Sequence, residues 1–212
     1  MLITFEGLDF SGKSTQARML VDRLTGTPGC PAVHFIREPG GTPISEQIRT
    51  ILLDRDHSEL NAITELFLFS ASRAQLTNQV IKPALDRAEV VVCDRYDDST
   101  TAYQGYGRQM DRTAIGEINR LATAGIKPDV TFFLDVPLEE IARRRNAARK
   151  ETDRMEDSGD EFYRRVLAGY RQISATEAGR YVVVNGTRPV AEVHNRIWEE
   201  THKRIFQGQS IV

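Results

Sequence analysis

The stretch "GLDFSGKST", residues 7–15, decides how this chain is read. Gly7, Gly12, Lys13 and Ser14 fit the pattern G-x-x-x-x-G-K-[ST]. The apolar run "LITFE" (2–6) precedes it, and residues 13–25 have helical spacing. A strand, a glycine loop and a helix in that order form the setting in which backbone N–H groups wrap round phosphate oxygens. Lys13 then bridges the outer phosphates, Ser14 ligates Mg²⁺, and the start of the helix adds partial positive charge. The loop leaves the recipient of the phosphate open: water, a protein or a small molecule.

Further apolar runs follow: "AVHFI" (32–36), "EVVVCD" (89–94), "DVTFFLD" (129–135) and "RYVVVN" (180–185). Near-continuous apolarity over that length suits strands buried on both faces. Between them, residues 59–87, 111–125, 137–150 and 189–206 carry apolar side chains at helical intervals. The alternation predicts an α/β fold with a central parallel sheet of about five strands and helices on both sides. Ligands would then bind at the carboxyl edge of the sheet. At 212 residues the chain reads as one domain, 1–212. A net charge of −2 gives no global field for nucleic acid or an anionic membrane. Cys30 and Cys93 lack metal-ligand spacing and read as free thiols of a reducing cytoplasm. Neither a signal peptide nor a membrane span is expected.

Asp94 ends the strand "VVVCD", so it should emerge beside the loop and help to hold Mg²⁺. The guanine-selecting N-K-x-D of switch proteins and the H-R-D of protein kinases are both missing from the sequence. Instead, three segments outline a pocket for a second, phosphorylated small molecule: "FIREPGGT" (35–42), "FLFSASRAQ" (67–75) and "DRYDDSTTAYQG" (94–105). Phe69 and Arg73 are four residues apart on one helical face, an aromatic plane beside a guanidinium fork. Arg95 falls where a second phosphate would meet the first nucleotide; the alternative for it is an internal pair with Asp97 or Asp98.

With "KPDVTFFLDV" and "ARKETDRME" added, the set resembles bacterial thymidylate kinases over essentially the whole chain, in the family's order. The resemblance implies a P-loop nucleoside monophosphate kinase of three layers, with a mobile lid at about 142–157. The implied reaction is ATP + dTMP → ADP + dTDP with Mg²⁺, a step of dTTP biosynthesis, carried out by a cytoplasmic homodimer. It gives Gly7, Leu8, Asp9, Phe10, Ser11, Gly12, Lys13, Ser14 and Thr15 to ATP, together with Arg145 and Arg188, and Ser14 and Asp94 to the metal. On the acceptor side Asp9 would accept from the sugar 3′-hydroxyl. Phe69 would stack on the base, Arg73 would meet its carbonyl, and Thr100 and Gln104 would face its edge. Tyr103 would fill the space of a 2′-hydroxyl. Arg95 would hold the acceptor phosphate, with Arg37, Glu38 and Arg49 nearby.

The basic stretch "ARRRNAARKETDR" (142–154) reads most simply as a solvated helical face, Arg143 and Arg144 in particular. Thymidylate kinases supply the transition-state cation from the phosphate loop or from the lid. The loop here, Asp9-Phe10-Ser11, has no arginine, and Phe10 stands where a small residue is commoner. The resemblance therefore implies a lid arginine as catalytic: Arg149 first, then Arg154, then Arg145.

Overall fold

Five parallel strands form one sheet in the order β2-β3-β1-β4-β5. The computed structural model describes residues 1–148, 154–155 and 159–207. In chain order the elements are β1 (Leu2–Glu6), α1 (Lys13–Thr25), β2 (Val33–Arg37), α2 (Pro43–Leu53), α3 (Ala62–Leu76), α4 (Lys82–Asp86), β3 (Val90–Asp94), α5 (Asp97–Thr100), α6 (Arg112–Ala122), β4 (Val130–Asp135), α7 (Leu138–Ala148), α8 (Asp160–Thr176), β5 (Tyr181–Asn185) and α9 (Val190–His202). Each strand agrees with the sequence reading to within a residue at either end.

The register explains the apolar runs. β1 lies between β3 and β4, with Ile3 opposite both Val92 and Val130. Side chains alternate across the sheet, and both faces are covered. Ile3, Phe5, Val90, Val92, Val130 and Phe132 pack with Ala17, Leu20 and Leu24 of α1 and Val193 and Ile197 of α9. On the other face Leu2, Val91 and Cys93 meet Leu76, Ile81 and Tyr96, while Phe133 meets Tyr170 of α8 with ring centroids 5.3 Å apart. Burying each such side chain contributes about 1.5–3 kcal/mol, which helps to hold the carboxyl edge rigid beneath the loops.

The helical stretch read over 59–87 runs unbroken from Ala62 to Asp86, with one change of pitch inside it. Asn61 caps α3, its side chain accepting from the Ile63 N–H at 2.9 Å. A wider, π-type turn at Thr77–Ile81 then joins α3 to α4. Neither α2 nor α8 falls within the helical stretches expected from the spacing, although the start of α2 is marked: Thr42 accepts from the Ser45 N–H at 3.1 Å, and Pro43 follows at the first helical position.

Candidate active site

The phosphate loop leaves β1 and turns into α1 through residues held at positive φ. Gly7 sits at φ +141°, and a Cβ there would lie 2.9 Å from the Leu134 carbonyl oxygen. Gly12 sits at φ +96°, and glycine meets both demands at no steric cost. Phe10 holds φ +62°, a left-handed conformation that a side chain strains.

Asp9 is the hub. Its carboxylate accepts from Lys13 Nζ at 3.1 Å, from Arg95 Nη2 at 2.7 Å and from the Tyr103 hydroxyl at 3.4 Å. Burial opposes its charge, but Arg95 and Lys13 outweigh that and hold its carboxyl well below the usual carboxylate range. Arg95, itself at φ +73°, also donates to the Gly7 carbonyl at 3.1 Å and to the hydroxyls of Ser99 (3.2 Å) and Tyr170 (3.3 Å). It does not take the Asp97 and Asp98 alternative, because those carboxylates pair with Lys127 and Arg180.

A cavity of about 330 Å³ opens from this hub at the carboxyl edge of β1, β2 and β3. On the phosphate-loop side it is lined by Asp9, Lys13, Ser14 and Asp94. On the opposite side Arg37, Glu38, Arg49, Phe69, Arg73, Arg95, Thr100, Tyr103 and Gln104 line it, so every residue expected around the acceptor borders one space. Tyr103 and Gln104 arrive on a π-type turn, Thr101–Gly107, that extends α5.

Arg73 is more deeply built in than the role expected of it requires. Only 2% exposed, it donates from Nε to Glu38 (2.7 Å), from Nη1 to Thr100 (2.7 Å) and Asn119 (3.4 Å), and from Nη2 to the Tyr96 carbonyl (2.8 Å). Burial pushes Glu38 up to about 7, with Arg73 pulling the other way and Asp97 adding to the rise. Arg37, at the edge of the cavity, also pairs with Glu46 at 3.1 Å, and Arg49 donates to the Pro39 carbonyl at 2.9 Å.

The donor side fits a magnesium ion. Ser14 Oγ hydrogen-bonds one carboxylate oxygen of Asp94, while the other, Oδ1, is buried without a partner. Hard oxygen donors of this kind suit Mg²⁺ shared with nucleotide phosphates. Among the described residues no group of three or more His, Cys, Asp or Glu forms a metal cage of its own.

The arginines of the basic stretch take different places in the structure. Arg144, read from the sequence as solvated, instead donates to the carbonyls of Phe10 (3.3 Å), Ser11 (3.2 Å) and Gly186 (2.8 Å). It ties the phosphate loop to the β5–α9 loop, a role that the basic run conceals. Arg145 lines a small cleft beside Asp9 and Phe10. Arg149 lies outside the described residues, as does most of the expected lid beyond Ala148. Arg154 does not line the cavity; it donates to the Leu52 carbonyl at 2.9 Å and pairs with Glu65 at 2.8 Å. Arg188 is exposed on the β5–α9 loop. Residues missed from the sequence include Arg18, one helical turn after Ser14, and Ser99, Leu53 and Met155, all lining the cavity.

Known proteins resemble this chain along most of its length. The family model described as thymidylate kinase matches residues 5–197. A thymidylate kinase of Pelodictyon phaeoclathratiforme is 48% identical over 205 residues, covering 93% of each chain. That of Chlorobaculum tepidum is 45% identical over 205 residues, covering 93% of this chain and 94% of its own. The crystal structure of thymidylate kinase from Ehrlichia chaffeensis superposes with a TM-score of 0.78 at 34% identity, covering 95% of this chain and 98% of that one. A glycine loop and an aromatic–arginine pocket meeting across one carboxylate, with likeness running along nearly the whole length, place the chain in the thymidylate kinase family.

Proposed function

We propose that the chain transfers the γ-phosphoryl group of ATP to dTMP, giving ADP and dTDP, within nucleotide biosynthesis. The observation that carries this reading is the single cavity in which Lys13, Ser14 and Asp94 face Phe69, Arg73, Tyr103 and Gln104. A phosphate oxygen of dTMP forms the new bond to the γ-phosphorus. The bond from that phosphorus to the bridging oxygen breaks, and its electron pair leaves with ADP. No covalent enzyme intermediate is required, so orientation and charge neutralisation carry the catalysis. Lys13 follows the β- and γ-phosphates, and Arg95 orients the acceptor phosphate. Asp9, between the two, accepts from the sugar hydroxyl. Mg²⁺, held by Ser14 and Asp94, neutralises phosphate charge when bound.

The whole chain acts as one kinase domain with its lid at about 142–157, and Arg149 supplies the transition-state cation. The absence of arginine from Asp9-Phe10-Ser11 supports that reading. A homodimer is favoured by the exposed apolar side chains Ile63 and Phe67 on α3 and Leu121 on α6. A reducing, cytoplasmic setting suits the free thiols of Cys30 and Cys93. No helix among the described residues is long and apolar enough to cross a membrane.

A coupled assay of ADP release with dTMP, dUMP, UMP, CMP and AMP tests the reaction. Stimulation should be strongest with dTMP. ATP loss that is equal with and without acceptor would make the chain an ATPase instead.

A further inference from the structure

Glu65, on α3, belongs to none of the motifs read in the sequence, yet only 1% of it is exposed. Both of its oxygens are engaged. Oε1 accepts from Gln104 Nε2 at 2.8 Å and from Arg108 Nε at 3.3 Å. Oε2 accepts from Arg108 Nη2 at 3.2 Å and lies 2.8 Å from Arg154 Nη2. Burial opposes the charge, and Arg108, Gln104 and Arg154 outweigh it, so the carboxyl titrates below its ordinary range.

A carboxylate only accepts, so the end of the Gln104 amide turned toward it has to be the NH₂ group. The carbonyl oxygen of Gln104 is thereby left for the cavity that the residue lines. An amide without such a lock has two orientations of opposite hydrogen-bonding sense. Arg73, on the same wall, can only donate. A fixed acceptor beside a fixed donor matches a pyrimidine edge that carries a ring N–H next to a carbonyl. It opposes an edge with an amino group next to a bare ring nitrogen, because both polarities are reversed.

We propose that Glu65 is a positioning residue for acceptor selection. It locks Gln104 as a hydrogen-bond acceptor toward the base, and Arg154 strengthens that lock through the same carboxylate. The proposal rests on the reading that the base lies among Phe69, Arg73 and Gln104.

The test compares kcat/KM for dTMP and dCMP in the full-length enzyme and its variants, each checked for folding by circular dichroism. Glu65→Gln, whose amide can either donate or accept, should narrow the dTMP:dCMP ratio about tenfold, the effect of one mis-set hydrogen bond. In a Gln104→Ala background the same change should narrow it no further. Arg154→Met should narrow the ratio a few-fold, again only while Gln104 is present. An unchanged ratio in folded Glu65→Gln, or additive losses in the double variant, overturns the role of Glu65. If Glu65→Gln does not fold, Arg154→Met with and without Gln104 carries the test: narrowing independent of Gln104 overturns the proposal. A Gln104→Ala enzyme with the wild-type ratio refutes the placement of the base itself, and the proposal with it.

Discussion

Replacing Arg73 with alanine should damage the fold before it damages catalysis. The side chain is buried and donates to Glu38, Thr100, Asn119 and the Tyr96 carbonyl, so it joins the β2–α2 turn, α3, α5 and α6. Its removal strands the Glu38 carboxylate, whose Oε1 already lacks a partner. Breaking a buried ion pair from one side costs about 3–5 kcal/mol. For a chain of this size, at about 2–4 °C per kcal/mol, that is a fall of about 10 °C in Tm. The loss should also depend on pH. Glu38 titrates at about 7 in the folded chain against an ordinary 4.5, because burial outweighs Arg73. The folded state therefore binds more protons than the unfolded one between those values, and this group lowers stability as pH rises across that window. Without Arg73 the folded value climbs further, so the deficit of the variant should be smallest near pH 5 and largest above pH 7. Urea unfolding without nucleotide at pH 5, 6, 7 and 8 measures this. A deficit below about 1 kcal/mol, or one equal at pH 5 and pH 8, would refute the reasoning.

Three further outcomes are expected. Arg149→Ala should lower kcat by at least about a hundredfold while changing KM for dTMP little, since a cation aimed at the moving phosphoryl group acts in the transition state; steady-state kinetics showing the reverse split would remove it from that role. Tyr103→Ala should relax discrimination between dTMP and its 2′-hydroxyl counterpart by about tenfold, and an unchanged ratio of kcat/KM would dispose of the steric role. Arg144→Ala frees the Phe10, Ser11 and Gly186 carbonyls, so it should raise KM for ATP about tenfold at constant KM for dTMP; a rise confined to dTMP would argue against a brace on the donor side.

Which of these features could be read in advance depends on how local their cause is. β1, the glycine loop and α1 were legible because Gly7, Gly12 and Lys13 act within a few residues of one another. The buried strands were legible because both faces of the sheet are covered, which leaves an unbroken apolar run. α2 is marked in the sequence only by its cap, Thr42, and by Pro43, while Ile44 and Ile51, which share its spacing, are exposed rather than core. Glu65 looks in the sequence like an acid favouring the first turn of a helix, and its partners Gln104 and Arg108 lie 39 and 43 residues away. Arg144 sits in a basic run, and only the return of Phe10 and Ser11, more than 130 residues earlier, gives it a function. The segments that line the cavity were legible as motifs, whereas the way Arg73 holds four elements together is a tertiary fact.

The position of β1 between β3 and β4 has a consequence for how the enzyme is made. The Leu2 N–H donates to the Asp129 carboxylate at 2.7 Å across 127 residues, and Leu2 stands opposite Val91 in the neighbouring strand. The strand that launches the phosphate loop is translated before either of its neighbours, and it waits for β3 at Val90–Asp94 and for β4 at Val130–Asp135. Pairings so distant in sequence close slowly, and an unpaired apolar strand is exposed to aggregation while it waits. Nucleotide-binding competence should therefore arrive late in synthesis, once β4 has closed the second side of β1, long after the loop itself is translated.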